Sequence, residues 1–250
     1  LKCHELHNAL LFSDKDSVSL PYLDALSAYL VLAGLASITM DFLKRHHEPF
    51  FARREAISRL GSSLHVIQEK LVSAPESTMK NHAQMIYYVT LISLYTPLDD
   101  LELAANSGYS LTGLTPKQHT RSAIVRLLTR NKVRMDSARH AIGLFKIYIP
   151  LSSGISSPYE SSGLYLATLT LWAYLTGQGY DHESPTFLIN SIDTDTVAAM
   201  EHSLEDSDMA ACGRHWRTLV QHVADHLSKK YNENAREYSQ VLRSLIDITI

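Results

Sequence analysis

HAQMIYYVTLISLYTPLDDLELAANSGY, residues 82–109, opens with apolar side chains on nearly every face of any helix drawn through it. Such a run predicts a helix buried all round rather than one resting on a surface. Pro97 stops it, because a proline pushes the residue before it out of helical geometry. Asp99, Asp100 and Glu102 then put negative charge at the amino end of a short second helix, where the macrodipole favours it. Residues 137–150, SARHAIGLFKIYIP, carry Ala138, Ala141, Ile142, Phe145 and Ile149 on one stripe and also end at a proline. Lys132, Asp136, Arg139 and Lys146 fall opposite that stripe. Together the two segments predict a buried helical core.

The same periodicity extends along the chain. Pro21 sits in the first turn of a helix running toward Leu43, and the HHEP stretch from His46 to Pro49 breaks it. Pro49 opens a second helix through Leu71, and a third spans about Thr78 to Tyr95. Thr115-Pro116 combines a cap with a proline at the first helical position and starts a helix to about Asn131. SSGISSPYESSG, Ser152 to Gly163, is the most loop-like segment and a soft division within a domain that otherwise spans 1–250. GLYLATLTLWAYLTG, Gly163 to Gly177, is a further apolar helix closed by a capping glycine. Asp193, Thr194 and Asp195 begin a helix with Val197, Met200 and Leu204 inward. Cys212, Trp216, Leu219, Val220, Val223 and Leu227 make one wide stripe, and Ala235, Tyr238, Val241, Leu242 and Leu245 another. No alternating run argues for a sheet and no fixed-period repeat occurs. The expectation is an all-α bundle of roughly ten helices.

The 250 residues are 45% hydrophobic and 20% charged, enough apolar mass for a sizeable core and too little charge for disorder. A net charge of −3 supplies no overall basic field for nucleic acid. Cys3 and Cys212 make no disulfide framework, and no Asn-x-Ser/Thr acceptor occurs, which favours a reducing, intracellular compartment. Lys2, Glu5, Asp14, Lys15 and Asp16 interrupt residues 1–20, so these do not read as a signal peptide. Leu1 in place of methionine predicts an excerpt of a longer polypeptide. The uncharged run Ala25 to Met40 would rise only ~24 Å as a helix, short of a ~30 Å hydrocarbon layer, and reads as a core helix.

Thirteen histidines invite a search for metal ligands. His4-Glu5-Leu6-His7 lacks the four-residue spacing that brings two imidazoles to one helix face. His222 and His226 have that spacing, with His215 and Cys212 further up the same helix, but a site would need ligands from elsewhere. At the edge of an apolar stripe an imidazole also serves as an apolar body with a polar tip, and that structural reading is the one adopted. Asp99, Asp100 and Glu102 are similar to the magnesium-binding acids of helical terpenoid synthases, yet Leu103 stands where the third carboxylate belongs. Asn190, Ser191 and Asp193 do not restore a second metal motif. Lys117, Arg121, Arg126, Arg130, Lys132, Arg134 and Arg139, against one Asp136, form a basic stretch without interleaved aromatics. A solvated face, or one for an acidic partner, explains it. Tyr87, Tyr88, Tyr95, Tyr148, Tyr165, Trp172 and Tyr174 could line a pocket, but core packing with bonded hydroxyls accounts for them. No phosphate-cradling glycine loop or nucleophile elbow occurs. No catalytic, metal or DNA-binding residue is assigned.

The order of these helices resembles the regulatory region of fungal zinc-finger transcription factors. The His82–Asn106 phrase, an apolar helix followed by TPLDDLELAANSG, is similar to that family's tyrosine- and histidine-rich helix and its proline, leucine and acid turn. Leu94-Tyr95-Thr96 stands where many members have a histidine. SARHAIGLFKIYIP, YLATLTLWAYL (165–175) and GRHWRTLVQHVADHLSK with YSQVLRSLI (213–246) resemble the later helices. The resemblance implies a helical, non-catalytic regulatory domain of a nuclear protein acting on RNA polymerase II genes. It implies a zinc-dependent DNA-binding module outside this chain, since Cys3 and Cys212 cannot build one, and hence no cofactor within it. The implied partners are other segments of the same factor, co-regulators and a small-molecule effector. The rival expectation is a helical metal-dependent enzyme acting on an isoprenoid or other apolar metabolite through Asp99, Asp100 and Glu102.

Overall fold

The computed structural model describes residues 23–44, 50–96, 98–105, 131–151, 159–177, 193–205, 209–230 and 232–247. As the sequence predicts, the fold is all-α, with no strand among the described residues. The chain divides into two compact units, Leu1–Leu94 and Tyr95–Ile250. The boundary lies between Leu94 and Tyr95.

In the first unit, helix α1 (Ala25–Leu43) starts four residues after Pro21. Asp24 caps it: its carboxylate accepts the Ser27 backbone N–H at 2.8 Å, satisfying one of the donors that a helix start leaves free. Pro21 and Pro49, expected to open helices, lie outside the described residues. Ala28, Val31, Leu32, Leu35 and Thr39 are buried, and α1 packs on α2 (Phe50–Val72). The expectation of a core helix is therefore half right, because Leu26 and Leu30 on the other side of α1 are exposed. At 19 residues, reaching past Asp41, α1 is long and apolar enough to cross a membrane by length and composition alone.

Helix α3 (Thr78–Tyr95) is buried nearly all round from Met85 to Leu94. Its polar side chains do not break this core, since Thr90 and Ser93 donate their hydroxyls to the carbonyls four residues back, at 2.7 and 2.9 Å. The turn from α2 into α3 is tied by Lys80. Its ammonium, almost wholly buried, donates to the Val72 and Ala74 carbonyls at 3.0 and 2.8 Å and to Glu76 at 2.7 Å. Lys80→Met would keep the stem and strand two carbonyls, which costs about 1–3 kcal/mol. Denaturant unfolding of the variant should show that loss, whereas Glu76→Gln, at an exposed position, should shift stability by less than about 0.5 kcal/mol.

The second unit holds α4 (Leu98–Ala105), α5 (Asn131–Leu151), α6 (Glu160–Gly177), α7 (Thr194–Glu205), α8 (Met209–Ser228) and α9 (Glu233–Asp247). The helix expected from Thr115 to Asn131 lies mostly outside the described residues. Pro150 sits inside the last turn of α5. It has no N–H to offer the carbonyl four residues back, and the helix runs only one residue further. Helix α6, buried from Gly163 to Leu175, is the hub, packing against α4, α5, α8 and α9. Thr168 and Thr170 return their hydroxyls to the Leu164 and Leu166 carbonyls, so the hub buries no free hydroxyl at either position. The inward stripes of α7 and α8 are those read from sequence: Val197, Met200 and Leu204, then Trp216, Leu219, Val220, Val223 and Leu227. On α9, Tyr238 is half-buried and stacks on Tyr165 of α6, ring centroids 4.2 Å apart and nearly parallel.

One boundary differs in a way that matters. Helix α6 begins at Glu160, so Ser161, Ser162 and Gly163 are helical rather than loop. The Gly163 N–H already bonds the Tyr159 carbonyl at 2.8 Å. The acid in the first turn compensates for the weak helix propensity of serine and glycine.

Candidate functional site

The most distinctive polar cluster among the described residues lies where the amino end of α6 meets the carboxyl end of α8. Glu160 has its side chain 3% exposed, and a carboxylate at that depth is stable only if its oxygens are satisfied. They are. His226, in the last turn of α8, places Nε2 at 2.6 Å from Oε1, and Lys230, just past the helix end, places Nζ at 3.0 Å from Oε1 and 3.1 Å from Oε2. The Lys230 backbone N–H donates to the Leu227 carbonyl at 3.1 Å, in the turn that terminates α8 and swings the side chain toward Glu160. Glu160 and Lys230 each sit at the helix end whose dipole favours their charge, the acid at an amino end and the ammonium at a carboxyl end.

Burial works to raise the Glu160 pKa, but the hydrogen bonds from His226 and Lys230 outweigh it and hold the carboxyl below its ordinary value. Toward an ionised Glu160, His226 is the donor, its Nε2–H pointing at Oε1. Tyr148, from α5, sets its ring edge-on to the His226 ring at 5.2 Å. Burial, and then the charge of Glu160, push its phenol well above the usual range, so it is neutral. Its buried hydroxyl has no hydrogen-bond partner among the described residues. Three helices thus converge on one carboxylate, one imidazole, one ammonium and one phenol. This arrangement can hold a proton and lock helix ends together. Around it, Arg243 of α9 pairs with Asp225 of α8 at 2.9 Å, Ser239 donates to the Ala224 carbonyl at 2.8 Å, and Lys146 of α5 donates to Glu201 of α7.

Sequence reasoning weighed His226 with His222 as a metal pair and adopted the structural reading, a ring at the edge of the apolar stripe. In the structure His226 is turned to Glu160, while His222 is half-buried with its pKa lowered, by burial first and His226 second. The side chains of Cys212 and His215, and all of His4, Glu5 and His7, lie outside the described residues. Among the described residues no group of three or more His, Cys, Asp or Glu side chains is arranged to hold a metal ion.

The side chains of Asp99 and Asp100 lie outside the described residues, as do Asn190 and Ser191, while Glu102 is exposed. Asp193 is a helix cap: its carboxylate accepts the Thr196 hydroxyl at 2.7 Å and the Thr196 N–H at 2.8 Å, which hold it below the usual carboxylate range. Of the basic stretch, residues 117–130 and the side chains of Lys132 and Arg134 lie outside the described residues. Arg139 is exposed and 3.5 Å from Asp136. Tyr87, Tyr148, Tyr165, Trp172 and Tyr174 are core residues, and the Tyr87 hydroxyl meets His65 Nδ1 at 2.8 Å. Glu160 itself went unseen. The available signal was Pro158-Tyr159-Glu160, a proline followed by an acid, which reads as a helix start.

Comparison with models of known protein families, with characterised proteins and with solved structures returns no match.

Proposed function

We propose that this chain is the regulatory domain of a fungal zinc-finger transcription factor, controlling RNA polymerase II transcription from the nucleus. Its zinc-dependent DNA-binding module lies outside the 250 residues. One observation carries the reading: the segments that resemble the family's regulatory region are the helices that build the body of the protein. They fall on α3 with α4, on α5, on the hub α6, and on α8 with α9, in the family's order. The domain works by conformation. It packs against other segments of the same factor or against a co-regulator and releases them, and an effector drives the change only through unequal affinity for the two states.

The test uses the full-length factor in its host. Genome-wide occupancy and transcript levels are compared between the intact protein and a version lacking residues 95–247. Retained DNA occupancy with altered transcription at the occupied promoters is the expected result. Unchanged transcription would overturn the proposal. So would magnesium-dependent release of diphosphate from an isoprenoid diphosphate by the purified protein, abolished by Asp99→Ala with Asp100→Ala.

A further inference from the structure

Tyr165 of the hub α6 and Tyr238 of α9 lie face to face, with ring centroids 4.2 Å apart and planes 8° from parallel. Aromatic pairs more often sit edge-on or offset at roughly 4.5–7 Å, because two π faces carry like partial charge. Tyr87 and Tyr88 follow that pattern, 4.9 Å apart with 68° between their planes. The cofacial pair is held in place by its helices. Tyr165 is 3% exposed and α9 packs directly on α6. Ser239, the residue after Tyr238, donates to the Ala224 carbonyl at 2.8 Å, and Arg243 pairs with Asp225.

Three properties of the pair bear on the loss of an electron. Contact between the π faces lets the positive charge left on one ring spread over both. Burial, and then the negative charge of Glu102 and Glu237, raise both phenols above the usual range, so both are protonated. The same two carboxylates favour a positive charge on the rings and are bases for the proton that an oxidised phenol releases. Finally, Tyr238 is half-buried, so an oxidant reaches the pair through it while Tyr165 stays covered.

We propose that the Tyr165–Tyr238 pair is an oxidative modification site, at which hydrogen peroxide acting through a haem peroxidase joins α6 to α9 as a dityrosine. Each phenol gives up one electron and one proton. The two phenoxyl rings then bond through one carbon ortho to each oxygen, a Cε from either side, and each of these carbons still bears its hydrogen. Those hydrogens move as protons to the oxygens and restore two phenols. Two electrons and two protons leave in all, and they reduce one peroxide to two waters. The product ties α9 to the hub, so oxidation locks the second unit in one conformation. The inference goes beyond the transcriptional reading and does not depend on it.

The test treats the purified full-length protein with hydrogen peroxide and a haem peroxidase, then follows dityrosine fluorescence and peptide masses. A cross-linked peptide joining positions 165 and 238, two hydrogens lighter than the sum of its halves, is expected in a protein that still migrates as a monomer. Tyr238→Phe and Tyr165→Phe each keep the ring and remove the phenol. Circular dichroism should be unchanged in both, and this cross-link should be lost. Tyr88→Phe should leave its yield as it is. In denaturant, where the stack is gone, the 165–238 link should vanish. Three results would overturn the proposal: no such link in the folded protein, an equal yield of it in denaturant, or dityrosine formed only between separate molecules.

Discussion

Glu160→Ala should destabilise the second unit by about 2–4 kcal/mol. Breaking a buried ion pair from one side costs about 3–5 kcal/mol because the surviving charges lose their counter-charge. Here the cost is about 1 kcal/mol lower than that range, since the His226 and Lys230 side chains are 18% and 27% exposed and regain some water. Glu160→Gln keeps the shape and one acceptor but no charge, and should cost about half as much. Denaturant unfolding followed by circular dichroism measures both. A loss below about 1 kcal/mol for the alanine variant would mean that the clamp contributes little.

The pH dependence follows from the same cluster. Glu160 lies below its ordinary value of 4.5 when folded, so the unfolded chain binds more protons as the solution becomes acidic. The stabilisation is complete above that ordinary value and is lost as pH falls through the folded one. The gap in stability between the native protein and Glu160→Gln should therefore be constant near neutrality and close below about pH 4. A gap independent of pH would show that shape, not charge, holds these helix ends.

Trp216→Ala should be the most damaging single truncation in the second unit, at about 3–5 kcal/mol. Trp216 is 1% exposed and sits on the inward stripe of α8, which packs against α6, α7 and α9. Deleting it leaves a void in the core, and the walls of such voids collapse only in part. In a unit of this size each kilocalorie lowers the melting temperature by about 2–4 °C, so calorimetry should show a fall of roughly 10 °C. Leu30→Ala, a large apolar deletion at an exposed position, should leave the transition nearly unmoved. Comparable losses for the two would contradict the burial described for α1 and α8.

How much could be read from the chain depended on contrast between faces. In α7, α8 and α9 apolar residues alternate with charged ones at helical spacing, so Val197, Met200, Leu204, Trp216 and Leu245 were assigned inward correctly. In α1 nearly every residue is apolar or small, so no polar face marks the outside, and nothing in the order of residues says that Leu35 is covered and Leu30 is not. The start of α6 was missed because serine and glycine favour loops locally. A first-turn acid engaged by a distant helix overrode them. The pairing of Glu160 with His226 and Lys230 spans 66 and 70 residues of sequence. No local rule reaches that far. His222 and His226 are neighbours on any helix, but which way each ring turns depends on what another helix brings to it.

The amino-acid order alone determined that this protein is helical, where most helices run, and which side of each strongly amphipathic helix faces inward, because those properties arise from steric limits and apolar periodicity within a few turns. The tertiary structure alone decided which face of the uniformly apolar α1 is left to solvent. It also decided that a glutamate from an apparent loop becomes the buried partner of a histidine and a lysine. Both depend on burial, and burial is set by the helices that pack alongside, not by neighbours in sequence.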